Sequence, residues 1–270
     1  MYLTDYHMHS TCSPDGSRTM EQMAAAAVKA GLQEICFTDH LDTVEWGTYA
    51  PRTDFPWAEA LRQVRKAREK WGDRLTIRLG AELGEAALAF DRAEKLLSDA
   101  PELDFVIGSV HMTGPRYGRE DLYYLPRADE AYYNDVIADY LDDVMALARW
   151  GKCSVLGHLT LPVRYIWDNA RLAMDFSAHT DAVEEIFREI IPKGLGIECN
   201  TNRGDAPLPD ESVLRLYREM GGEIITIGSD AHSTGYVGCR VRETQELLRQ
   251  CGFRYITTFA KGQPTFRPLP

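Results

Sequence analysis

The sequence predicts an α/β protein: a distorted seven-stranded (β/α)7 barrel of TIM type, with a metal site at the C-terminal ends of its strands. Three observations predict it. Short apolar, strand-like runs alternate with helix-periodic ones along the chain. No run is followed by a Gly-x-Gly-x-x-Gly turn, which weakens the dinucleotide-binding alternative. Histidines and carboxylates sit where the strands end, the rim at which α/β barrels gather their catalytic groups.

The predicted strands cover residues 3–7, 34–38, 76–81, 105–110, 154–157, 196–199 and 224–227. Helical stretches are predicted near 19–30, 57–71, 86–97, 130–150, 179–191 and 209–220, with a last one near 242–250. Gly31, Gly72, Gly151 and Gly221 follow four of them as helix-ending glycines. Beyond the last helix the sequence offers a short apolar stretch and a Pro-rich tail. The loop 41–56 is long for a βα connection, which favours function over packing, and Trp46, Tyr49 and Trp57 are its candidates for a substrate lid.

A chain of 270 residues is ordinary for one such barrel, so a single domain over 1–270 is expected. Its 41 acidic against 30 basic residues, net charge −11, argue against a face for duplex nucleic acid or an anionic membrane. The longest apolar runs, such as 23–28, are far too short to span a bilayer. The start, MYLTDYHMHS, lacks the basic and apolar regions of an export signal. Six cysteines (Cys12, Cys36, Cys153, Cys199, Cys239, Cys251) form no CxxC pair, so free thiols in the cytoplasm are expected.

Five of seven histidines, His7, His40, His111, His158 and His232, fall at or just past predicted strand ends, and His9 follows His7. Asp15, Asp39, Glu82, Glu198 and Asp230 share these ends. In extended backbone, His7-x-His9 and Asp230-x-His232 each point two side chains to one face, as chelation requires. Imidazole and carboxylate suit zinc, iron or manganese. So many donors exceed the needs of one four-coordinate ion, and two or three divalent ions are expected, with Glu82 the candidate bridge. His179 reads instead as a residue on a solvated helix face, Cys12 as a spectator thiol, and Asp139, Asp142 and Asp143 as a solvated acidic face.

The motifs DYHMHSTCSPDG, FTDH, GAELG, GSVHM, GHLTLPVRY, IECNTN and GSDAHS, in that order, resemble those of the polymerase-and-histidinol-phosphatase (PHP) family, most closely its histidinol-phosphate phosphatase branch. The resemblance implies a trinuclear centre: one metal on His7, His9, Glu82 and Asp230, a second on Glu82, His111 and His158, a third on Asp15, His40 and His232. It implies Arg164 as the phosphate-binding residue, a fork suited to paired phosphate oxygens, with Arg203 a second candidate. Asp39 is a candidate proton carrier or an orienting partner of an imidazole. Glu198 could approach the metals or attract a cationic substrate group. Where the branch commonly reads Gly-His-x-Asp, this chain has Thr160, which leaves the substrate open.

The implied activity is metal-dependent hydrolysis of a phosphomonoester, L-histidinol phosphate in histidine biosynthesis, with a metal-bridging hydroxide as nucleophile. Three alternatives stand beside it: a phosphoesterase acting on another small metabolite or nucleotide, a metal-dependent amide or ring hydrolase, and a silent metal-binding module.

Overall fold

A computed structural model describes residues 1–270. Seven parallel strands follow one another in chain order: β1 (Thr4–Asp5), β2 (Glu34–Phe37), β3 (Thr76–Gly84), β4 (Phe105–Ser109), β5 (Val155–Leu156), β6 (Gly196–Asn200) and β7 (Ile225–Gly228). The ring closes between β7 and β1. Tyr6 N donates to Ile227 O at 2.8 Å, Asp230 N to His7 O at 2.8 Å and His9 N to Ala231 O at 2.9 Å. The expected barrel is the one observed.

Eight helices surround it: α1 (Met20–Ala30), α2 (Trp57–Trp71), α3 (Phe90–Ser98), α4 (Glu130–Trp150), α5 (Pro162–Ala170), α6 (Thr180–Ile190), α7 (Glu211–Glu219) and α8 (Val241–Gln250). Each buries one stripe; in α6 it is Val183, Ile186, Phe187 and Ile190, spaced to fall on one helical face. Thr19 and Gln22 form a reciprocal cap on α1, and Asp129 and Asp210 cap α4 and α7. Gly31, Gly151 and Gly221 take left-handed φ of 77°, 70° and 95°, as helix-ending glycines do, whereas Gly72 stays right-handed.

The sequence and the structure part in four places. Residues 86–88 form a 3-10 turn, so the third helix starts only at Phe90. The helix α5 carries no predicted counterpart. The C-terminal stretch is a hairpin, β8 (Tyr255–Ala260) against β9 (Gln263–Pro268), rather than a tail. And the acidic run on α4 is not a solvated face. Asp139 is buried and accepts from Arg116 N and Nε, both at 3.0 Å; Asp143 accepts from Arg119 Nη1 at 2.7 Å; only Asp142 faces solvent. These ion pairs tie the loop after β4 onto α4.

The hairpin fills the end of the barrel opposite the histidines. Phe259 packs with Tyr6, Phe105, Ile107 and Val155 in a small separate core, its ring 5.0 Å from that of Phe105. The Tyr6 hydroxyl donates to Glu34 Oε1 at 2.7 Å and accepts from Phe259 N at 2.8 Å. Truncating Phe259 to Ala removes this plug and should cost about 3–5 kcal/mol. Thermal unfolding should then begin about 10 °C lower, while metal content stays unchanged.

Candidate metal centre

Glu82, wholly buried near the end of β3, is the hub of the open end. His7 Nε2 lies 3.2 Å, His40 Nδ1 3.1 Å and His9 Nε2 3.5 Å from its Oε2; His158 Nε2 lies 3.0 Å and His111 Nε2 3.2 Å from its Oε1. One carboxylate thus faces five imidazoles. Around its first oxygen the donor spacing can be compared with that of a metal site. His7 Nε2 and His9 Nε2 lie 3.7 and 3.5 Å from Asp230 Oδ1, against their 3.2 and 3.5 Å to Glu82. Tetrahedral ligands on bonds of about 2.1 Å sit about 3.4 Å apart. The buried atoms His7 Nε2, His9 Nε2 and Glu82 Oε2 have no hydrogen-bond partner, a costly state for polar atoms unless a cation satisfies them. The donors fit a metal.

Further donors group around this set. His9, Asp15, His40 and His232 each offer an atom within 4.8 Å of the others, as do His7, Glu82 and His158, and His40, Glu82 and His111. All nine expected ligands are therefore brought together. His9, expected beside one ion only, also stands in the group with Asp15.

The surrounding residues fix which nitrogen of three histidines faces inward. His7 Nδ1 lies 2.7 Å from Glu198 Oε1, a carboxylate that can only accept, so one proton sits on Nδ1 and Nε2 is the nitrogen that a cation would take. His232 Nδ1 likewise faces the Asp230 carbonyl at 2.9 Å. For His9 the partner is the Ser13 hydroxyl at 3.0 Å. That hydroxyl donates its one proton to Asp39 Oδ1 at 2.8 Å, so toward His9 it must accept. Such carboxylate or carbonyl partners behind a ligand histidine orient the ring and raise its basicity.

The geometry bears on two further candidates. Asp39 accepts from Ser10 N and Oγ and from Ser13 Oγ, is buried, and does not line the cavity; of its two expected roles the arrangement fits the orienting one, exerted on the His9 ring through Ser13. Glu198 is spent on His7 Nδ1, on His158 N at 2.8 Å and on Asn200 Nδ2 at 3.3 Å, and it lies behind the histidines; it cannot meet a substrate cation. Gly228 permits that packing, since a Cβ there would fall 2.1 Å from Glu198 Oε1 and 2.3 Å from His7 Cβ. Cys12 stays outside the donor groups, accepting from Gln63 Nε2 at 3.7 Å. His179 is half-buried, its Nε2 3.2 Å from Asn134 Oδ1, rather than solvated.

A cavity of about 320 Å3 opens above the donors. Arg164 and Arg203 both line it. Arg164, buried in α5, gives Nη1 to Asp230 Oδ2 at 3.1 Å, Nε to Asn202 Oδ1 at 2.6 Å and Nη2 to Asn200 Oδ1 at 3.3 Å, leaving two N–H groups. Arg203, at φ 55°, is exposed, with no side-chain hydrogen bond inside the chain. Trp46, Tyr123, Tyr124, Tyr165 and Asp121 line the remainder. Of the three aromatics in the long loop, Trp46 alone reaches the cavity, edge-on to His40 at 4.5 Å; Trp57 begins α2, its ring 4.3 Å from Phe55. Thr160 does not line this cavity.

Asp121 and Asp42 went unread in the sequence. Asp121 sits beyond any strand end, in a loop held by the α4 ion pairs. Asp42 is wholly buried with both oxygens unpartnered, 3.7 Å from His40 Nδ1. Its spacing from His40, the same as His7-x-His9, was the available signal.

The charges perturb one another strongly. Burial disfavours protonated His7, but Glu198, Glu82 and Asp230 outweigh it and hold its pKa well above the ordinary value. Burial likewise opposes protonation of His40, which Asp42 and Glu82 bring to about 9, and of His111, raised by Glu82 and Glu85. His9, desolvated and facing His232 and His40, is held well below. Against burial, His7, His40 and His111 keep Glu82 ionised, and His232 and His40 bring Asp15 to about 2. In metal-free protein at pH 7, the three raised imidazoles therefore carry protons that a cation must displace. Zinc or manganese added to metal-free protein in weak buffer should release protons, the His40 share vanishing as pH rises through about 9. Titration with a pH indicator reads this directly, and metal uptake without proton release would contradict the assignment. Glu82→Gln should lower the bound metal count, read by elemental analysis.

The PHP domain model matches residues 5–202. A histidinol-phosphatase of Lactococcus lactis subsp. lactis is 28% identical over 264 residues, covering 95% of this chain and 94% of that protein. A probable histidinol-phosphatase of Thermotoga maritima is 27% identical over 269 residues, covering 98% and 99%. The crystal structure of the Lactococcus lactis histidinol phosphate phosphatase, complexed with Zn, L-histidinol and phosphate, superposes with a TM-score of 0.80 at 22% identity, over 97% of this chain and 98% of that one. With its motifs in order along the barrel rim and nearly three quarters of its length matched, the chain belongs to the PHP domain family.

Proposed function

We propose that this protein is a metal-dependent phosphomonoester hydrolase and that its substrate is L-histidinol phosphate. One observation carries the reading: the Glu82-centred donor set opens into a cavity that is lined as well by two arginines, by the Asp121 carboxylate and by aromatic rings. The family and the two relatives' names support the same chemistry. Residues 1–270 act as one domain, as the 58-residue core running from Leu3 to Ile256 suggests. Six free cysteines suit the cytoplasm. No helix is long and apolar enough to cross a membrane.

The nine residues His7, His9, Asp15, His40, Glu82, His111, His158, Asp230 and His232 would hold two or three ions, zinc, manganese or iron. When bound, such ions supply Lewis-acid polarisation of a phosphate and acidify water. The chain's own residues do the rest. Glu198, Ser13 and the Asp230 carbonyl keep the protons of His7, His9 and His232 on Nδ1. Arg164 aligns Asp230 through Nη1 and offers its remaining N–H groups to phosphate oxygens, and Arg203 closes on the phosphate from the cavity mouth. Asp121 takes the role first considered for Glu198. Its Oδ1 accepts from Tyr123 N at 2.8 Å, and it lines the same cavity as the metal donors, where it would meet an ammonium or imidazolium group of the substrate. Trp46, Tyr123 and Tyr165 give that group an aromatic wall.

Phosphate release from L-histidinol phosphate by metal-loaded protein, set against p-nitrophenyl phosphate, tests the reading. A kcat/KM far higher for the amino alcohol ester is expected; equal or absent turnover would remove the proposed substrate. Arg203→Ala should cost both esters about 1.5–3 kcal/mol, roughly 10–100-fold in kcat/KM. Asp121→Asn should lower kcat/KM for histidinol phosphate and leave p-nitrophenyl phosphate unaffected, because only the former carries a cation.

A further inference from the structure

Asp42 is a buried charge that neither the donor groups nor the cavity above them uses. It is wholly buried, and both of its carboxylate oxygens lack a hydrogen-bond partner. An ionised carboxylate left alone in a dry interior is costly, so a proton-bearing group is needed beside it.

The backbone decides which group that is. Beyond β2 the chain runs on beside β3, Leu41 N donating to Glu82 O at 2.7 Å and Thr43 N to Gly84 O at 3.1 Å. Residues 40 and 42 therefore present their side chains to one face. The segment is pinned there, since the Thr43 hydroxyl donates to Glu85 O at 2.7 Å and Arg92 Nη1 to Thr43 O at 2.9 Å. Asp42 lies against Gly84, where a Cβ would fall 2.0 Å from its Oδ1. The same oxygen stands 3.7 Å from His40 Nδ1.

His40 is the ring whose role the donor groups leave open. It stands both with His9, Asp15 and His232 and with Glu82 and His111. Its Nε2 lies 3.8 Å from Asp15 Oδ1, and its Nδ1 lies 3.1 Å from Glu82 Oε2. A neutral imidazole has one lone pair to give, so it can serve one group only. Glu82 Oε2 also faces His7 Nε2 and His9 Nε2, and an oxygen committed to a cation there is a poor acceptor for an N–H. At 3.7 Å the Asp42 contact is longer than a hydrogen bond. With Glu82 given to a cation, Asp42 is the acceptor that remains.

We propose that Asp42 is a positioning residue of the metal centre: it takes the Nδ1 proton of His40 and so assigns His40 Nε2 to the ion shared with Asp15 and His232. Glu198 holds the Nδ1 proton of His7 in the same way, and a carboxylate behind a ligand imidazole both orients it and raises its basicity. Gly84 belongs to the device, because any side chain there would take the space of the carboxylate. The inference rests on the metal-site reading and not on the identity of the substrate.

Nitrogen-15 spectra of the histidine-labelled, zinc-loaded full chain, with His40 assigned through His40→Gln, read which ring nitrogen carries the proton. In the native chain it should be Nδ1. Asp42→Leu removes the acceptor at similar volume. It should lose that signature and hold one zinc about 10–100-fold more weakly, read by elemental analysis after dialysis against buffered zinc. Gly84→Ala, at a position without left-handed φ, should do the same with the carboxylate still in the chain, and it serves if Asp42→Leu does not fold. Asp42→Asn keeps an acceptor oxygen and should keep both the signature and the zinc. A metal-bound Nδ1 on His40 in the native chain would overturn the proposal. So would native spectra and zinc content in both Asp42→Leu and Gly84→Ala, or a loss in Asp42→Asn as large as in Asp42→Leu. A native chain that takes up no zinc would remove the metal centre itself and this assignment with it. None of these readouts requires turnover, so they stand apart from whether the protein hydrolyses histidinol phosphate.

Discussion

A single buried carboxylate sets the terms for the open end of this barrel. Glu82 has no access to water and meets five imidazoles and the Ser109 hydroxyl instead. Asp230 and Asp15 add further negative charge within reach of the same rings. Charges so close in a dry interior are stable only when balanced, and without metal the balance is struck with protons on His7, His40 and His111. The same balance can be struck with divalent ions. A site that must hold positive charge either way is preorganised to exchange one kind for the other.

That exchange works only if each lone pair points inward, and this is governed by residues that touch no ion. Ser13 has one hydroxyl proton and gives it to Asp39; its oxygen then serves both His9 Nδ1 and the His40 amide. Glu198 bridges the His7 ring and the His158 amide, so one carboxylate sets the side chain of one histidine and the backbone of another. Asp5, buried at the end of β1, accepts from the amides of Ser229 and Gly238 and thereby anchors the loop that presents Asp230 at φ 56°. A left-handed aspartate persists only where surrounding bonds hold it.

Much of this was legible before any coordinates. Strand ends are readable as apolar runs, and a barrel sends every strand end to one rim, so a list of strand-end histidines is already a list of neighbours. Distance from the cavity was not legible. Asp39 and Glu198 stand at strand ends like the ligands do, yet both lie one layer behind them, because alternate residues of a strand face opposite ways and only packing says which layer a carboxylate occupies. Asp121 escaped because it belongs to a loop, placed by Arg116 and Arg119 reaching back to α4, and ion pairs across more than twenty residues leave no local pattern. The same remoteness made Asp139 and Asp143 look solvated. The β8–β9 hairpin was hidden by its prolines and by exposed residues on β9, which read as a tail until β8 is seen capping Phe105 and Tyr6.

Arg164 shows why the two ends of α5 have different consequences. The helix begins immediately after the His158 strand end, so its first turn must return a side chain toward the rim. Arg164 does so, tying Asp230, Asn200 and Asn202 into one unit. Its side chain lines both the cavity above the metal donors and the one bounded by α5 and the loop after β6. Shifting it would disturb a metal-facing carboxylate on one side and the loop after β6 on the other. A residue tied on both sides in this way is held in place by the fold before any ligand arrives.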